Sequence, residues 1–194
     1  GAVIDPIPRY RAYDGPALLS AGFRPFFLAA AIWAAIAVPL WLSAYVGGMD
    51  LPSGLPPIIW HAHEMIYGFA SATAAGFMLT MIPNWSGKMP LQGWPLATLV
   101  LLWLIGRAGV FLSAAIGAPA AAAADLCFPV LFLLAMSREV LAGRNWRNLP
   151  MLAALASLLF GNVLVHGDAM GLTQTAPLGN RMGIALFLML IVLI

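Results

Sequence analysis

The sequence predicts an all-α, polytopic transmembrane helix bundle, with about five full spans, a truncated sixth and a cytoplasmic N-terminus. Three observations carry this. First, 62% of the 194 residues are hydrophobic, only 8% are charged, and mean hydropathy is +0.93; an ordinary soluble domain has about 25% charged residues. A chain of this composition cannot hide its apolar surface within itself, so its main solvent must be lipid. Second, apolar runs of span length recur between short turn-rich segments. Third, the basic residues gather in alternate loops.

Residues 1–20 carry Asp5, Arg9, Arg11, Asp14 and several prolines, and read as a polar N-terminal segment outside the bilayer. Residues 21–194 form the bundle. Span one is expected over 25–45, with Pro39 as a kink. Residues 47–57 (GGMDLPSGLPP) form a turn-rich loop without a basic residue. Span two follows over 58–82 and ends at Pro83-Asn84-Trp85-Ser86-Gly87-Lys88, with a loop to Gly93. Span three covers 94–116, Gly117-Ala118-Pro119 makes a tight turn, and span four runs to about Met136. A basic loop over 137–148 leads to span five, 149–166, and a loop over 167–180 leads to span six near Arg181. The run from Arg181 to Ile194 is short for a span of about 20 residues and lacks a flanking charge, so the sequence is expected to be a fragment of a longer protein.

Arg9, Arg11 and Arg24 precede span one, Lys88 follows span two, and Arg138, Arg144 and Arg147 follow span four. Only Arg181 falls on the other side, so the positive-inside rule puts the N-terminus in the cytoplasm. His61, His63 and Glu64 then sit near the outer surface, and so does His166 at the end of span five. At 1.5 Å per residue, Arg107 lies about 14 Å and Asp125 about 9 Å below the outer end of its span. Asn162 also falls in the outer half, while the inner half is almost purely apolar.

The chemistry is therefore expected at Trp60-His61-Ala62-His63-Glu64-Met65. Ionisable groups within a span are costly and mark functional sites. On a regular helix, His61, Glu64, Met65, Gly68, Ala72 and Gly76 form one stripe, and His63, Tyr67, Ala70, Ala74 and Met81 another, roughly opposite. One metal cannot take both histidines from such a helix: either they serve two sites, or the first turn is irregular and they chelate as an extended pair. The small residues of the His61 stripe admit either a close helix or a flat ligand such as a porphyrin. Histidine suits haem iron, copper and zinc. His61, His63 and His166 are the candidate cofactor ligands, and His61, His63 and Glu64 the candidate metal ligands. Glu64 serves as a ligand or as an acceptor that orients an imidazole. Arg107 and Asp125 read as a structural ion pair, Asn162 as an interhelical hydrogen bond, Met65 as a soft ligand candidate and Cys127 as a buried thiol. A lone cysteine excludes an intrachain disulfide. There is no C-x-x-C-H motif for covalent haem, and the basic residues are too few for a nucleic-acid surface.

The stretch WHAHEMIYGFASATAAGFMLTMIPNWSGKMPLQGWPLATLVLLWLIGRAG resembles the NnrS family of bacterial membrane proteins, as do LLSAGFRPFFLAA upstream and GNVLVHGDAMG downstream. The resemblance runs from Leu18 to the end of the chain. It implies a non-covalent haem and also copper, a place in the bacterial inner (cytoplasmic) membrane, and a link to nitric oxide exposure, nitrosative stress and denitrification. It also implies a full protein of about twelve spans of about 20 residues each, with a further Trp-His stretch in the second half. By position, His61 and His63 carry over as ligands first, then His166, with Glu64 and Arg107 behind them. Nitric oxide or nitrosylated iron species become the expected partners, and turnover of nitric oxide does not follow from the residues. A competing reading is a proton-coupled secondary transporter that uses Glu64, Arg107, Asp125 and the histidines as a relay.

Overall fold

A computed structural model describes residues 13–86, 91–142, 144 and 146–193. Arg9, Arg11 and Lys88, used above for orientation, lie outside the described residues. The described chain is all helical, with no strand. Its helices are α1 (Phe23–Tyr45), α2 (Pro57–His63), a π-helical segment (Glu64–Ala70), α3 (Ser71–Ser86), α4 (Trp94–Phe111), α5 (Ser113–Ile116), α6 (Ala118–Ala142), α7 (Leu149–Ala169) and α8 (Ala176–Leu193). Five of them, α1, α4, α6, α7 and α8, are long and apolar enough to cross a membrane. The expected second span is also helical throughout, but as the consecutive pieces α2, π-helical segment and α3.

The surface is inverted relative to a soluble protein. Ile32, Leu101, Leu134, Phe160 and Ile191 are all more than half exposed, while Glu64, Arg107, Asp125 and Asn162 are buried. An apolar exterior around a polar interior is what a lipid solvent selects. The chain is thus a multi-pass membrane protein in a lipid bilayer.

Helix pairs α1–α3, α4–α6 and α7–α8 pack along one another, and α6 also packs on α7. At one end of the bundle, Phe23 N donates to Thr80 Oγ1 at 3.0 Å, and Gly93 N to Leu19 O at 3.0 Å. At the other end, Gly54 N donates to Ser113 Oγ at 2.9 Å and Ala114 N to Pro52 O at 3.2 Å. The first end is filled by the main apolar core, with Phe26, Met78, Leu79, Leu96, Trp103, Phe128 and Met136 buried in it. The second end holds smaller clusters, one of Ala37, Leu55, Trp60 and Val110 and one that includes Val165 and Ala176.

Several boundaries differ from expectation. Helix α8 begins at Ala176 rather than near Arg181, because Asp168 Oδ2 accepts from Ala176 N at 2.8 Å and Thr175 Oγ1 donates to Leu164 O at 3.0 Å. These bonds tie a short α7–α8 turn and leave Arg181 exposed on the helix. Helix α6 runs on to Ala142, beyond Met136, since Val140 still packs into the core. The third span breaks after Phe111, where Ser113 Oγ donates back to Val110 O at 2.8 Å and starts α5. Helix α3 continues through Pro83 to Ser86. Gly117 takes φ +85°, the left-handed value a glycine turn permits, and α6 starts directly after it.

Candidate functional site

The site begins with an irregularity. From Glu64 to Ala70 the helix is π-helical, so each turn is wider than in an α-helix. The Gly68 carbonyl, loosened from the regular ladder, accepts from Trp103 Nε1 at 3.1 Å and from Ser71 Oγ at 3.2 Å. Ser71 Oγ also donates to the Tyr67 carbonyl. Neighbours in sequence do not normally share a helix face. Here, however, Glu64 turns to meet His63, with His63 Nδ1 and Glu64 Oε1 3.1 Å apart. The expected stripe that joined His61 to Glu64 is therefore broken.

With this pair, four more buried polar side chains converge, six in all from four stretches of the chain. Arg107 of α4 donates through Nη1 to Glu64 Oε2 at 2.8 Å and through Nη2 to Asp125 Oδ1. Asp125 of α6 accepts on Oδ2 from Asn162 Nδ2 at 2.9 Å. The same oxygen lies 2.9 Å from His166 Nε2 and 3.3 Å from His63 Nε2. Asn162 Oδ1 lies 2.9 Å from His63 Nε2. The Arg107–Asp125 pair thus exists, and Asn162 does link helices, to two partners at once. All six side chains are at most 3% exposed, and they lie in the half of the bundle that carries the 46–56 loop.

Local sequence explains the fit. Pro129 sits inside α6, four residues after Asp125, so it cannot donate to the Asp125 carbonyl. Gly106 lets α4 approach α6: a Cβ there would stand 3.0 Å from Asp125 Cα. Gly68 makes room for the guanidinium, since a Cβ would stand 2.8 Å from Arg107 Nη1 and 3.1 Å from Glu64 Oε2. Gly68→Ala should therefore destabilise the protein by about 1–3 kcal/mol through overpacking, read as a lower melting temperature in detergent.

His61 goes elsewhere. Its ring stacks on Trp41, with centroids 3.9 Å apart and planes at 19°, and its Nδ1 is buried without a hydrogen-bond partner. Met65 packs in the nearby Trp60 cluster. The stripe of small residues is filled by α1: Cβ atoms on Gly68 and Gly76 would meet Trp33, Phe26 and Phe27 within about 3 Å. Of the two uses foreseen for that stripe, close helix packing is the one observed. Cys127, expected to be buried, is exposed, because it shares the outward face of α6 with Val130, Leu131 and Leu134 while Asp125, Phe128 and Phe132 turn inward.

Trp33 joins the network without having been foreseen from the sequence. Its Nε1 donates to Glu64 Oε2 at 2.8 Å and ties α1 to the site. A tryptophan in mid-span carries an N–H that must find an acceptor, and that need was the available signal. Tyr67 likewise donates its hydroxyl to Gly179 O at 2.6 Å, locking the π-helical segment to α8.

One ligand atom from each of His63, Asp125 and His166 lies within 4.8 Å of the others, so this buried group could hold a metal ion. Two carboxylates, Glu64 and Asp125, face one guanidinium. With neutral imidazoles the cluster therefore carries one excess negative charge, which a cation offsets.

No curated protein and no solved structure matches the chain. The sequence profile of the family described as NnrS protein matches residues 17–194, which takes in every described helix and every residue of the polar cluster, and the chain belongs to that family.

Proposed function

We propose that this protein is a metal-binding protein of the bacterial inner membrane that acts in the response to nitric oxide, and that His63, Asp125 and His166 hold its metal ion. The carrying observation is the convergence of two imidazoles and a carboxylate inside an otherwise apolar bundle. Two nitrogens and one oxygen suit iron, copper or zinc. The chain's other residues do the orienting. Asn162 and Glu64 bracket the two nitrogens of His63, and Arg107 holds Glu64 and Asp125 apart on opposite sides of its guanidinium. Such outer contacts set ring orientation and ligand basicity. A redox-active metal held there would supply coordination of a small molecule such as nitric oxide, or electron transfer. The link to nitric oxide rests on family membership.

Haem fits less directly. Helix α1 covers the Gly68–Gly76 face, so a porphyrin has no flat wall there. His61 has a buried ring nitrogen without a hydrogen-bond partner, and a haem would be held through it.

The test is metal and haem analysis of the purified full-length protein. About one metal ion per chain is expected, falling more than about tenfold in the His63→Ala/His166→Ala variant. A Soret band, where present, should survive that variant and disappear in His61→Ala. Metal content unchanged in a folded double variant would refute the assignment.

A second reading has its own support. The chain of polar contacts from Glu64 through His63 and Asp125 to His166 closes without any metal, as a proton relay in a coupled transporter would. Against it, the apolar core fills the other half of the bundle, whereas alternating access needs routes to both faces. Proton-coupled uptake by metal-free proteoliposomes would establish it.

A further inference from the structure

We infer that the cavity beside His166 is the aqueous passage by which a small hydrated cation reaches the His63–Asp125–His166 group, entering from the end of the bundle that carries the 46–56 loop. This rests on the metal reading above.

The cavity has a volume of about 230 Å³, room for several waters. Its walls change along its length. Gly54 at the mouth is exposed and Ala118 is half-buried. Val110, Ala121 and His166 at the inner end are 1%, 2% and 3% exposed. His166 is therefore both the inner wall of the cavity and, through Nε2, the 2.9 Å partner of Asp125. The cavity joins the bundle's surface to a member of the metal group.

The hole is local. About a turn further along α6, the same kind of small residues close the gap between α4 and α6. A Cβ on Gly109 would stand 2.8 Å from Ala124 Cβ, and one on Gly106 would stand 3.0 Å from Asp125 Cα. Natural interiors are close-packed, with few voids larger than a water. What sets this gap apart is its place, against the polar group through His166. On the other side of Asn162, the cavity is only about 20 Å³, enough for about one water. Beyond it lies the apolar core. Of these two cavities that touch the cluster, the one beside His166 is the roomier.

The rim suits an ion. Ser113 Oγ lies on the wall, accepts from Gly54 N at 2.9 Å and sits 3.1 Å from Ser53 Oγ. Ser53 Oγ donates to Val110 O at 3.0 Å. These bonds hold the loop across the α4–α5 break and set the Ser113 hydroxyl oxygen on the way in. A cation losing its water needs such oxygens, because bare charge in an apolar wall is costly.

The test uses the full-length protein in detergent, with Cys127→Ser to remove the exposed thiol and Co(II) alone as probe. Ala121→Cys is then modified by a bulky, water-soluble methanethiosulfonate. The introduced thiol should react, and the modified protein should take up Co(II) about tenfold more slowly or worse, followed by its ligand-field absorption. Unmodified Ala121→Cys should load at the parental rate, which separates blockage from misfolding. Reduction of the adduct should restore the rate. An introduced thiol that resists the reagent, or an adduct that loads as fast as the free thiol, overturns the passage while leaving the metal site standing. A parent protein that binds no Co(II) overturns the metal reading, and the passage loses its cargo with it.

Discussion

Asp125→Ala should cost about 3–5 kcal/mol of stability and remove the metal. Asp125 holds Arg107, Asn162 and His166 and stands 3.3 Å from His63. Its removal leaves a buried guanidinium with Glu64 as its sole carboxylate. For a chain of this length, each kcal/mol moves the melting temperature by about 2–4 °C, so a drop of roughly 6–20 °C is expected. Heating in detergent followed by size-exclusion chromatography measures it. Asp125→Asn keeps the shape and should melt closer to the parent, yet it too should lose the metal. A shift in Asp125→Ala within the range of an ordinary surface substitution, about 0.5 kcal/mol, would show that the cluster does not hold the bundle together.

Arg107→Leu should be as damaging without metal, again by about 3–5 kcal/mol, but should respond to metal in the opposite sense. It leaves Glu64 and Asp125 as two buried carboxylates with no cation between them. A divalent ion added to this variant supplies the missing charge, and stabilisation by a bound ligand grows with its affinity. Zn(II) should therefore raise the melting temperature of Arg107→Leu by more than it raises that of the parent. Asp125→Ala should show no rise. Equal shifts in parent and Arg107→Leu would mean that the guanidinium and the ion do not compete for the same carboxylates.

Depth was legible in the sequence; direction was not. The axial position of Arg107, Asp125, Asn162 and His166 follows from counting residues at 1.5 Å each, and all of them do lie in one half of the bundle. Their azimuths depend on which helix packs on which, and on local winding. His61 and His63 do face different ways, as 100° per residue gives, but at the π-helical turn Glu64–Ala70 Glu64 leaves the His61 side and turns toward His63. No periodicity argument based on 100° per residue anticipates that rotation. Pro129 and Gly106 were visible as residues, but that both serve Asp125 emerges only once α4 and α6 are side by side. Cys127 fails for the same reason: being two positions from Asp125 on α6 placed it on the opposite face.

The network also has an order in time. Its members leave the ribosome as Trp33, then His63 and Glu64, then Arg107, Asp125, Asn162 and His166. Synthesis proceeds at about 5–20 residues per second, so several seconds separate the first member from the last. Glu64 therefore enters the bilayer before Arg107 exists, and Arg107 and Asp125 must wait for Asn162 and His166. Until α7 arrives, the half-built cluster holds polar groups that lipid cannot satisfy. The polar cluster is complete only once α7 is in place, because its histidine-bearing half supplies the last two partners of Asp125.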